Sequence, residues 1–96
     1  REVYRRRRDT LVGALRKNGW DVPTPPSTMF VWSEIPARYA GMGSVEFARL
    51  VLRETGVVIS PGVGFGPEGE GYVRFALIEN EDRLREAGER IGRILR

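Results

Sequence analysis

The sequence predicts a small α+β domain, a three-stranded sheet with helices packed on one face, in the order α-β-α-β-β-α. Three observations carry this prediction. Helical spacing of apolar residues recurs in three segments, at the start, in the middle and at the end. Short runs rich in β-branched and aromatic residues lie between them. Glycine, asparagine or proline marks nearly every change of period. With 96 residues the chain holds one domain, 1–96, with a modest core.

Residues 1 to about 18 read as a helix, with Tyr4, Leu11, Val12 and Leu15 near one face and arginines around the rest. Asn18-Gly19 is a stop signal. Residues 22–27 contain three prolines and read as an extended loop. Residues 28–35 form a β-branched and aromatic strand ended by Pro36, followed by a loop over 37–43. Ser44 is a candidate N-cap, and Glu46 lies near the positive end of the helix it would open. Phe47, Leu50, Val51 and Glu54 mark that helix, and Gly56 stops it. Residues 57–60 are a short apolar strand, 61–71 a glycine-rich loop, and 72–78 a third strand. Asn80 caps a last helix with Glu81 and Asp82 in its first turn and Arg90, Arg93 and Arg96 toward its end. Leu84, Ala87, Ile91, Ile94 and Leu95 form its expected buried stripe.

Composition removes several kinds of chemistry. The chain has no cysteine and therefore no disulfide, thiolate metal site or thiol nucleophile. It has no histidine, the commonest general base and metal ligand. No metal site is expected within the chain, and an enzyme built from it alone would have to use carboxylates, tyrosines, serines or the single lysine. No apolar stretch approaches the roughly 20 residues that span a bilayer, and the arginine-rich start lacks the apolar core of a secretory signal. A cytoplasmic location and no membrane partner are the expectation. The first residue is not Met and lies inside an apparent helix, as in a segment taken from a longer protein.

The net charge of +3 owes much to Arg1 and the run Arg5 to Arg8. Such a run can bind nucleic acid or anionic lipid. Consecutive residues on a helix point in all directions, however, and Glu2 and Asp9 lie close by, so a solvated surface is expected.

Gly64-Phe65-Gly66-Pro67-Glu68-Gly69 matches a G-x-G-x-x-G pattern. A dinucleotide site needs a helix after those glycines to hold the pyrophosphate. A strand follows here, and Glu68 and Glu70 would repel phosphate, so the segment reads as a turn between strands. Residues 69–75 partly fit the signature of an RNA-recognition motif, with Met29-Phe30-Val31 as a possible companion strand. Against this, Glu68 occupies the basic position and Glu70 a stacking position, and the fourth strand of that fold is missing.

Arg74 stands in mid-strand. Alternation puts Tyr72, Arg74 and Ala76 on one face and Val73, Phe75 and Leu77 on the other. On these residues alone two readings stay open: a solvated strand face, the commoner outcome for arginine, or an arginine held for an anion. The second has a clear mechanism, because a guanidinium fork matches a carboxylate bidentately.

Several motifs occur together and in order: 25–32 (Pro-Pro-Ser-Thr-Met-Phe-Val-Trp), Ile35-Pro36, 43–47, 58–66 (Val-Ile-Ser-Pro-Gly-Val-Gly-Phe-Gly), 69–77 and Glu79-Asn80-Glu81. Across the whole chain they resemble the C-terminal small domain of class I/II aminotransferases, fold type I, with most similarity to the bacterial alanine and LL-diaminopimelate subgroup. The resemblance implies a homodimeric pyridoxal 5'-phosphate enzyme that moves an amino group from an amino acid to a 2-oxo acid. It implies that Arg74 is substrate-binding and grips the α-carboxylate. It also implies that the cofactor belongs to a large domain outside this chain, since the family's serine-x-x-lysine stretch is missing and Lys17 follows Arg16 on an amphipathic helix.

Two alternatives accompany this reading: a free-standing RNA-binding module and a degenerate scaffold kept for dimer contacts. The aminotransferase reading carries three expectations. The chain alone should be inactive, an apolar surface should lie near the Pro25-Pro26 loop and Phe65, and Arg74 should be open to a ligand.

Overall fold

The computed structural model describes residues 2–24, 30–77 and 80–95. The expected loop at Pro25-Pro26, the start of the first strand at Thr28 and Met29, and the end of the third at Ile78 lie outside the described residues, as do Glu79, Arg1 and Arg96. The elements follow the expected order: α1 (Glu2–Lys17), β1 (Phe30–Glu34), α2 (Ser44–Thr55), β2 (Ser60–Pro61), β3 (Tyr72–Ala76) and α3 (Glu81–Leu95). The strands form one antiparallel sheet in the order β1-β3-β2. The fold is therefore the α+β arrangement that the sequence predicts.

The helices end where the sequence punctuates them. At the end of α1, Gly19 takes φ 100°. Trp20 N–H donates to Leu15 O at 2.9 Å and Gly19 N–H to Arg16 O at 3.1 Å, the paired bonds of a Schellman motif. Gly56, at φ 75°, closes α2 by donating to Leu52 O. Asn80 caps α3, its Oδ1 accepting from Arg83 N–H at 2.9 Å.

One cap differs from expectation. Ser44 is the first residue of α2 rather than its cap, and Gly43 at φ 90° takes the capping position. The side-chain acceptor comes instead from Glu70, 26 residues later. Ser44 N–H donates to Glu70 Oε2 at 2.7 Å, and the Ser44 hydroxyl donates to Oε1 at 3.3 Å. Ser44 is fully buried, and its hydroxyl oxygen accepts from Val63 N–H at 3.3 Å. The carboxylate thus meets the positive end of α2 and ties it to the glycine-rich loop.

Strand alternation sets the layers. Val31 and Ser33 of β1 and Val73 and Phe75 of β3 are buried against the helices. Val31, Val73 and Phe75 join Leu11, Leu15, Trp20, Val22, Phe47, Val51, Leu77 and Ile91 in one core. Trp20 anchors it, meeting Phe47 and Phe75 edge-on at 5.7 and 5.5 Å, while its indole N–H donates to Glu34 O.

The third helix shifts its stripe slightly from expectation. Leu84 and Ile91 are buried, but so are Gly88 and Gly92, while Ala87 is half-buried. A Cβ at Gly88 would meet the Cβ of Ala14, and one at Gly92 would meet the side chain of Asn18. The absence of side chains lets α1 and α3 approach closely. The second strand is shorter than expected. Val58 is 77% exposed, and only Ser60 and Pro61 pair with β3.

Candidate functional site

Strand register gathers one chemical surface on the sheet face away from the helices. Trp32 stands opposite Arg74, and Ser60 flanks Arg74 on the other side. The same alternation adds Phe30 and Tyr72. Trp32 stacks on Tyr72 with centroids 5.5 Å apart and planes 10° from parallel.

The loop 61–71 folds over this surface. It makes two 3-10 turns, Gly62–Phe65 and Pro67–Gly69. Their backbones touch: a Cβ at Gly62 would land on the carbonyl oxygen of Gly69, and one at Gly69 on that of Gly62. Only glycine permits that approach. The base of the loop is thereby fixed, and Phe65 is delivered onto the face. Its ring meets Trp32 edge-on at 5.9 Å yet stays 52% exposed.

Arg74 lies within this aromatic frame. Its guanidinium carbon is 4.4 Å from the Phe65 ring centroid and 5.3 Å from that of Phe30. Both lie within cation–π range. Among the described residues no carboxylate pairs with Arg74. Its Nε is the one buried side-chain nitrogen or oxygen among them without a hydrogen-bond partner. A half-buried, unpaired guanidinium framed by rings has the makings of a carboxylate receptor.

The other arginines differ. Arg5 pairs with Glu2, Arg6 with Glu81 and Arg8 with Asp9, while Arg7 donates to Leu77 O and lies over Tyr4. The basic run is thus spread over separate partners. Arg74 also borders an open groove of about 400 Å³ between the free part of β3, the 56–60 segment and α3. Arg90, in that groove, is held by Glu86 and by Thr55 O at the end of α2.

Lys17 is exposed at the end of α1, beside Asp9, Thr10, Arg85 and Glu89 in the helical layer. Glu68 and Glu70 do not face the aromatic surface as a pair, because Glu70 is turned into the α2 cap. The segment 64–69 leads into β3, not into a nucleotide-binding helix. No group of three or more Asp or Glu side chains arranged for a metal ion occurs among the described residues. No helix among them is long and apolar enough to cross a membrane.

The sequence singles out Arg74 and places Phe65 on the exposed loop. It does not reveal that Phe30, Trp32 and Phe65 converge on Arg74. For Phe30 and Trp32 the signal lay in the phase of alternation in residues 30–34 and 72–76, whereas Phe65 reaches the site from the loop and no alternation marks it.

Residues 1–91 match the family model for aminotransferase class I and II. The chain belongs to that family. It is 56% identical over 86 residues to glutamate-pyruvate aminotransferase AlaC of Escherichia coli, covering 90% of this chain and 21% of that protein. It is 47% identical over 91 residues to the LL-diaminopimelate aminotransferase of Oleidesulfovibrio alaskensis, covering 95% and 23%. The fold superposes on an aromatic aminotransferase from Pyrococcus horikoshii with a TM-score of 0.87 and 35% identity, over 98% of this chain and 25% of that one. The chain therefore spans roughly a quarter of these relatives. Nothing in these likenesses or in the site favours RNA binding.

Proposed function

We propose that the chain is the substrate-binding small domain of a pyridoxal-phosphate-dependent aminotransferase, and that Arg74 grips the substrate's α-carboxylate. The observation that supports this most is the state of Arg74, a cation framed by Phe30 and Phe65 with no protein carboxylate among the described residues to neutralise it. A guanidinium offers two parallel N–H donors to one carboxylate. Every amino acid and every 2-oxo acid carries that group, so one arginine serves both halves of an amino-group exchange. The rings keep water from part of the cation, which strengthens its pull on an anion.

In this reading the cofactor is not held by the chain's own residues. Lys17, the single lysine, ends α1 in the helical layer, away from the Arg74 face. Pyridoxal phosphate supplies the electron sink for amino-group transfer. In this reading it is held by a large domain outside these 96 residues, in a cytoplasmic homodimer. The relatives' names span glutamate–pyruvate, LL-diaminopimelate and aromatic exchange. The α-carboxylate is what those substrates share, so Arg74 is assigned to binding common to all of them and not to the choice among them.

The test is Arg74→Ala in the full-length enzyme. The kcat/KM should fall roughly 100- to 1,000-fold, as removal of a desolvated charge pair predicts. The fall should be similar for every amino donor and 2-oxo acceptor. Arg74→Lys should restore charge without the fork and recover part of the loss. A loss confined to one substrate, or unfolding with unchanged carboxylate affinity, would refute the assignment.

A further inference from the structure

We infer that Phe65 is the positioning residue for Arg74, holding the guanidinium by its ring face so that the N–H donors stay free for a carboxylate. The inference rests on the reading of Arg74 given above and adds a second residue to it. Long side chains have many rotamers, and an arginine kept for a ligand must be held in one of them. The usual orienter is a carboxylate, which occupies the donors and neutralises the charge. Arg74 has no such partner among the described residues, and its Nε is buried and unpaired. The contacts that fix it are the rings of Phe65 at 4.4 Å and Phe30 at 5.3 Å. A ring face attracts a cation through its quadrupole and consumes no hydrogen-bond donor.

Phe30 belongs to a paired strand and would stand there for packing alone. Phe65 does not. It is 52% exposed, lies outside the core and sits at the end of a 3-10 turn. An apolar ring left that open is poorly explained by burial. The loop is built to put it there. Gly66 takes φ 126°, which side chains rarely adopt, and the Gly62–Gly69 contact fixes the base of the loop. Glu70, a carboxylate of the same loop, is committed to the α2 N-terminus.

The test uses the full-length enzyme, with propionate as a bare-carboxylate competitive inhibitor and with the amino acid that is turned over fastest. Phe65→Leu should raise the propionate inhibition constant and the substrate KM roughly 3- to 30-fold, the range of a partly desolvated cation–π contact, and change kcat less. Phe65→Tyr keeps the ring and should stay near wild type. In an Arg74→Ala background, Phe65→Leu should change nothing further, because its effect passes through Arg74. An unchanged inhibition constant in Phe65→Leu, an equal loss in both backgrounds, or unfolding of that variant would each overturn the inference. If Arg74→Ala itself leaves propionate binding unchanged, the carboxylate reading fails. If Arg74→Ala weakens propionate binding and Phe65→Leu does not, only the role of Phe65 fails.

Discussion

Glu70 joins two parts of the chain that the sequence does not show to be neighbours. Its carboxylate accepts from Ser44 N–H and from its own neighbour, Gly71 N–H, at 2.7 and 2.8 Å. Removing it leaves the start of α2 without its side-chain acceptor. Glu70→Ala should therefore destabilise the domain by about 1 to 2 kcal/mol, the upper range for a lost helix cap. For a domain of this size each kcal/mol lowers Tm by roughly 4 to 8 °C. Glu70→Gln keeps an acceptor and should lose less. Thermal melts of the three proteins decide this, and equal Tm values would show that the cap contributes nothing. At this scale the sequence is only partly legible. Arg74 stands out because it interrupts an apolar strand. Glu70 and Phe65 acquire their roles from partners 26 residues and 9 residues away, Ser44 and Arg74, which only folding brings into reach.

Element identities were more legible, because each helix stop is a local event. Asn18-Gly19 and Gly56 stop α1 and α2, and Asn80 opens α3, each through backbone groups within a few residues. The short β2 and the glycine contacts of α3 were less so. The apolar run at 57–59 looks like a strand, yet pairing starts only at Ser60, and Pro61 has no N–H to extend it. Gly88 and Gly92 look like weak points in a helix until α1 is laid against them. Two substitutions separate these meanings of glycine. Gly13, exposed in α1, has nothing within 4 Å of an added Cβ, so Gly13→Ala should stabilise by up to about 1 kcal/mol. Gly88→Ala gains the same propensity, but its Cβ would meet Ala14 Cβ at 2.5 Å and force the helices apart. Overpacking costs about 1 to 3 kcal/mol, so the net effect should be destabilising. Denaturant titration of both variants tests the close contact. Stabilisation by both would contradict it.

At the scale of the whole molecule, one sheet face is covered by helices and the other carries half-exposed aromatics. Phe65 is 52% exposed, next to Trp32 and Tyr72, which are partly buried. A face of that kind associates readily. The isolated 96-residue chain should self-associate in sedimentation or bind a hydrophobic dye, and Phe65→Ser should reduce either signal. A monomeric chain that binds no dye would count against an uncovered face. The same chain should not form a stoichiometric adduct at Lys17 when mixed with pyridoxal phosphate and reduced with borohydride, and peptide mapping would reveal one. The central claim is that Arg74 receives a substrate carboxylate. The most direct measurement is a crystal structure of the full-length enzyme with a bound substrate-like carboxylate. Both carboxylate oxygens should lie on the Arg74 guanidinium, with the Phe65 ring still against its face. A carboxylate held elsewhere, with Arg74 paired to a protein acid or turned to solvent, would contradict the claim.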